Sequence, residues 1–144
     1  MELLGRRQLF ELAGGGEKRL HNLRSIGVGG HMEPTESCGV GCADGSWDMI
    51  RAAALREIDE EVCVESPEPL LLEYRGLIND ESNEVGTVHT GVLFFAKLPP
   101  GAIVTVREIE VLSGRFEPLA ALRTDTSIEF ETWSRHLLDA LPEA

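Results

Sequence analysis

Along this chain the spacing of apolar positions changes from the two-residue period of strands to the three-to-four-residue period of helices and back. RQLFELA (7 to 13) reads as a strand, GGGEKRLHN (14 to 22) as an exposed turn with basic residues, and SIGVGG (25 to 30) as a short strand entering a glycine loop. From Gly30 to Gly45 the chain is rich in Gly, Ser, Pro and Asp and reads as loop. Ser46 suits an N-cap and Asp48 the first turn of a helix, and WDMIRAAALREIDEEV continues it with strong helix formers until Pro67 and Pro69 lie beyond its end.

The second half returns to strands. LLLEYRGLI (70 to 78) and TVHTGVLFFAKL (87 to 98) flank the polar connection NDESNEVG, and AIVTVREIEV (102 to 111) offers one more strand. In the tail, IEFETWSRHLLDAL (128 to 141) spaces Phe130, Trp133, Leu137, Leu138 and Leu141 as the apolar stripe of a helix, which makes Trp133 a core residue. Strands and helices alternate without internal repeat, predicting one α/β or α+β domain over residues 1–144.

Composition narrows the partners. A net charge of −12, from 25 acidic against 13 basic residues, offers no basic stripe for long nucleic acid, whereas a small phosphorylated ligand remains compatible if a divalent cation inverts the local field. No stretch approaches the ~20 apolar residues that cross a bilayer, and MELLGRRQLF lacks the apolar run of a secretory signal, so a soluble cytoplasmic protein is expected. Three cysteines, Cys38, Cys42 and Cys63, lack the pairing of a disulfide scaffold and fit a reducing compartment. A zinc site from His31, Cys38, Cys42 and Cys63 is the sharper alternative, but C-x3-C does not have the spacing of zinc knuckles.

The densest chemistry is REIDEEVCV, 56 to 64, with Glu57, Asp59, Glu60 and Glu61 in five positions. At 100° per residue Glu57, Glu60 and Glu61 share one helical face and Asp59 points elsewhere. Leu55, Ile58 and Val62 form an apolar stripe expected to pack on the sheet. Carboxylates this close repel unless a cation sits among them, and oxygen-only ligands suit Mg2+, or Mn2+ in its place. Arg56, one turn before Glu60, is positioned to orient that carboxylate, while the simpler alternative for the whole stretch is a solvated acidic face.

REIDEEVCV resembles the Nudix box, G-x5-E-x7-R-E-U-x-E-E-x-G-U with U aliphatic, and GGHMEPTE (29 to 36) matches its first half through Gly30 and Glu36. Two departures stand out. Between Glu36 and Arg56 lie 19 residues where the pattern has seven, so Glu36 by motif and Asp48 by spacing both remain open as the early carboxylate. Cys63 also replaces the glycine that ends the family's helix, implying a reshaped helix end. With GGGEKRLHNLRSIGVGGHMEP and RGLINDESNEVGTVHTGVLF included, similarity to a bacterial Nudix branch labelled as phosphoesterases covers roughly residues 7 to 116.

The resemblance implies a Nudix-type α/β/α sandwich around a mixed β-sheet and Mg2+-dependent hydrolysis of a diphosphate linkage. It also implies a further strand ahead of 7 to 13, absent from this sequence or supplied by a second copy in a homodimer. Carried over, Glu60 and Glu61 are metal ligands, Glu57 a ligand or the base for water, Arg56 the orienting partner, and the carbonyl near Gly29 or Gly30 a further ligand. Glu110 or Glu108 is placed to add a carboxylate, and His31 and His89 to meet substrate, although a strand histidine is more often packing. Lys18 and Arg19 are candidates for phosphate contacts, against the simpler alternative of solvated loop cations. Asn79 and Asp80 open a connection where specificity or a simple turn resides. A binding module of the same fold that senses a nucleotide without turnover is the alternative function.

Overall fold

The computed structural model describes residues 8–14, 23–32, 46–84, 86–107 and 112–142. These residues form a mixed α+β chain with seven strands and three helices, grouped into two compact units: Met1–Gly27, Ile78–Thr90 and Glu108–Ala144 in the first, Val28–Leu77 and Gly91–Arg107 in the second. No described helix is long and apolar enough to cross a membrane.

In the first unit β1 (Gln8–Gly14) is central, with β2 (Arg24–Ile26) on one side and β7 (Leu112–Pro118) on the other, both antiparallel to it. The β1–β7 ladder is full length, from Gln8 opposite Pro118 through Phe10 opposite Phe116 to Gly14 opposite Leu112. Pro118 has no N–H for a helix to leave unsatisfied, so the strand can turn directly into α2 (Leu119–Thr124). The core of the unit is Leu119, Leu122, Ile128, Phe130 and Leu138, with Ile26 and Leu141 packed against it.

The tail helix α3 is shorter than the stripe predicts, Thr132–Ala140 instead of beginning at 128. Backbone pairing wins over helical periodicity there: Arg24 N–H donates to the Glu129 carbonyl at 2.9 Å and Glu131 N–H to the Arg24 carbonyl at 3.0 Å, which holds Phe130 in a parallel bridge. Glu131 then serves as the cap, its carboxylate accepting from Trp133 and Ser134 N–H at 2.9 and 2.5 Å. Phe130, Leu137 and Leu138 are still buried, as the stripe requires, while Trp133 is only half-buried. At the other end of α3 the Arg123 guanidinium donates to the Leu138 carbonyl at 2.9 Å and to that of Leu141.

The connection after β4 (Leu71–Asn79) is more than a turn. Asp80, with its side chain 2% exposed, accepts from Ser82 N–H at 2.9 Å and Asn83 Nδ2 at 2.7 Å, and lies 3.5 Å from His136 Nε2 on α3. Gly86 passes so close that an added Cβ would sit 1.8 Å from the Asp80 carbonyl oxygen, leaving no room for any other residue. Hydrogen bonds from Ser82, Thr132 and His136 hold the Asp80 carboxyl well below the usual carboxylate range.

In the second unit α1 (Ser46–Glu61) passes into β3 (Val62–Glu65), which pairs antiparallel with β6 (Ile103–Val106); β4, all but its last two residues in this unit, pairs with β5 (Thr90–Lys97), all but Thr90 in it. The expected strand at 87 to 98 starts late because Gly86–Val88 form a 3-10 turn.

A depressed carboxyl contributes stability that is complete above its unfolded value, near 3.9, and is lost as pH falls below it. Asp80→Asn is therefore expected to lower the thermal midpoint at pH 7, and the gap from the parent to narrow between about pH 4 and pH 2. A midpoint-versus-pH series on both proteins checks this.

Candidate active site

Helix α1 begins at Ser46 and is tied to β4 by Arg51, whose Nη2 donates to the Leu72 carbonyl at 2.8 Å. Trp47 packs edge-on to Tyr74 at 5.1 Å between ring centroids, and Tyr74 likewise to Phe94 at 6.1 Å. The expected apolar stripe behaves differently in part. Val62 is buried as expected, but Leu55 is 43% exposed and with Ile58, Val64, Pro67 and Leu70 lines an open groove. Ala53, one turn before Glu57, is buried.

At the end of the helix Arg56 gathers three oxygens. Its Nη2 lies 2.9 Å from Glu57 Oε1 and donates to the His31 carbonyl at 2.8 Å, while Nη1 donates to Glu60 Oε1 at 3.0 Å. The planar guanidinium can reach all three at once, which a lysine ammonium could not do with the same geometry. Glu57 is the enclosed carboxylate, 16% exposed against 56% for Glu60. Its enclosure explains Gly30: a Cβ there would lie 1.9 Å from the Glu57 carboxyl carbon. The glycine is needed for this close approach, and the segment 28–32 is thereby laid along the acidic turn.

The chain leaves α1 directly into a strand. Cys63 sits inside β3 opposite Thr105, and Val62 pairs with Val106, so at the position where the box pattern has a glycine the helix has already passed into a strand. Arg107 closes the end: its N–H donates to the Glu61 carbonyl at 2.9 Å and its Nη2 to Asp59 Oδ1 at 2.5 Å. Neither Arg107 nor its pairing with Asp59 carries a local sequence signal, since 48 positions separate them.

The structure thus brings together Gly30, His31 (through its carbonyl), Arg56, Glu57 and Glu60, with Glu61 on the same turn. His89 follows the 3-10 turn in the first unit, with its N–H directed to the Gly86 carbonyl at 3.4 Å. Asp48 is in the first turn of α1, about 13 Å along the helix axis from Glu57, too far to share one ion with it. Lys18, Arg19, Glu36, Cys38, Cys42, Glu108 and Glu110 lie outside the described residues. Among the described residues no three His, Cys, Asp or Glu side chains close around a common point as a metal cage. The donors on the turn are nonetheless all hard oxygens, the chemistry that suits Mg2+ or Mn2+.

No protein-family model matches the chain. It is 40% identical over 135 residues to Protein YmaB of Bacillus subtilis (strain 168), a match covering 92% of this chain and 63% of YmaB. Among solved structures it is similar to Tm1382, described as "a putative Nudix hydrolase", with a TM-score of 0.64 at 28% identity, covering 95% of this chain and 66% of Tm1382. The chain therefore spans slightly less than two thirds of each, and its fold is Nudix-like.

Gly30→Ala is expected to push the Glu57 carboxylate away from Arg56 at a cost of about 1 kcal/mol, or ~4 °C in thermal midpoint. A crystal structure of the variant should show the Arg56–Glu60 contact kept and the Arg56–Glu57 contact broken.

Proposed function

We propose that this chain is a Nudix-type hydrolase that cleaves a diphosphate linkage in a nucleoside-diphosphate derivative or a similar compound, with Mg2+ or Mn2+ as cofactor. What carries the reading is the R-E-I-x-E-E stretch on the last turns of α1, with Arg56 holding Glu57 and Glu60 beside Gly30 in a Nudix-like fold.

The residues divide the work by their surroundings. Glu60, the more exposed carboxylate, and Glu61 would hold the cation, with the main chain around Gly30 as a further oxygen source. When bound, the cation would neutralise the diphosphate and lower the cost of charge developing as the phosphoanhydride breaks. Mg2+ ordinarily uses only one or two carboxylates together with waters and substrate phosphates, so an open helical face suits it. Glu57, enclosed against Gly30, would be a further ligand or accept the proton of the attacking water. Arg56 fixes the distance between Glu57 and Glu60 and offsets part of their repulsion.

The partner is then a small phosphorylated molecule, with neither long nucleic acid nor a membrane, and the compartment a reducing cytoplasm. The acidic balance of the chain supports the first of these.

Product release from a panel of diphosphate-linked compounds, followed with MgCl2 and MnCl2, tests the proposal. Turnover is expected in the parent, and Glu57→Gln, Glu60→Gln and Glu61→Gln should each lower it by about a hundredfold or more. A folded protein that is stabilised by nucleotides yet releases no product would instead be a nucleotide-binding module.

A further inference from the structure

The last turn of a helix leaves backbone carbonyls without intrahelical partners, and a left-handed glycine commonly satisfies them. Here Cys63 is already extended in β3, so that route is closed. The Glu61 carbonyl is instead met by Arg107 N–H at the end of β6, and the Arg107 side chain reaches the neighbouring Asp59 carboxylate. Asp59 is the one acid of the stretch outside the shared face, and it is 80% exposed.

Two guanidinium groups, those of Arg56 and Arg107, meet carboxylates of this turn. Arg56 holds Glu57 and Glu60 from one side, and Arg107 holds Asp59 and the Glu61 backbone from the other.

From this geometry we infer that Arg107 is a positioning residue: on a turn whose Glu61 carbonyl is already met by its backbone N–H, its guanidinium pairs with Asp59 and so sets the orientation of the cation-binding carboxylates. The inference rests on the hydrolase reading above, because it needs those carboxylates to hold a cation. It assigns Asp59 a role as the anchor for Arg107, with no direct part in binding the cation. The clamp is a solvent-accessible ion pair, so its loss should alter cation binding by a small factor and leave the fold in place.

The test is the thermal midpoint of the full chain against MgCl2 concentration, for the parent, Arg107→Gln, Arg107→Lys, Asp59→Asn and the Arg107→Gln/Asp59→Asn pair. Arg107→Gln is expected to raise the MgCl2 needed for half the thermal upshift by about three- to fivefold, with the midpoint in EDTA within ~2 °C of the parent. Arg107→Lys should recover part of the difference. The pair should be no worse than the weaker single variant, because both changes break one contact. The sign of the Arg107→Gln effect discriminates, since loss of a positive charge near a cation would by itself lower the MgCl2 required. An unchanged or lowered requirement overturns the inference while leaving the hydrolase reading standing. A parent with no response to MgCl2 or MnCl2 overturns that reading and the inference with it.

Discussion

Repulsion among the carboxylates at the end of α1 is the constraint around which this part of the chain is organised. Four acids in five positions would loosen a helical turn if they stood alone. Arg56 meets two of them and a backbone carbonyl with one planar group, so the same side chain that offsets the charge also ties the glycine segment to the helix. Gly30 follows as a consequence, because a carboxylate drawn inward by Arg56 occupies the space a side chain would need.

A rigid turn needs a helix that cannot rotate. Arg51 at the β4 carbonyl and the Trp47–Tyr74–Phe94 contacts secure the early turns, and the β3–β6 ladder secures the end. Of the expected apolar stripe Val62 is buried, while Leu55 and Ile58 line an open groove, so these anchors add to what the stripe supplies. Orientation of the carboxylates thus draws on hydrogen bonds and ion pairs as well as on the burial of Ala53 and Val62.

Much of this was legible in the residues alone. Period-two patterning marked β1, β4, β5 and β6, and strong helix formers marked α1 nearly to the residue. The acidic face and the Arg56–Glu60 contact followed from helical geometry, and Gly30 from a motif whose physical reason, the close approach of Glu57, emerged only in three dimensions. Long-range pairing explains the misses. Val62–Glu65 is a strand because Val104 and Val106 lie opposite it, and Leu112–Pro118 because β1 does; neither segment declares itself locally. Phe130 fits a helical stripe yet is held extended by Arg24, and Arg107 lies 48 positions from the acid it holds.

The central claim, that the end of α1 holds a divalent cation, is tested most directly by titrating Mn2+ into the protein and following free ion by electron paramagnetic resonance. Saturable binding is expected in the parent, weakened at least tenfold in a Glu57→Gln/Glu60→Gln variant that keeps its fold. Binding of equal strength in both proteins, or no binding in either, would contradict it.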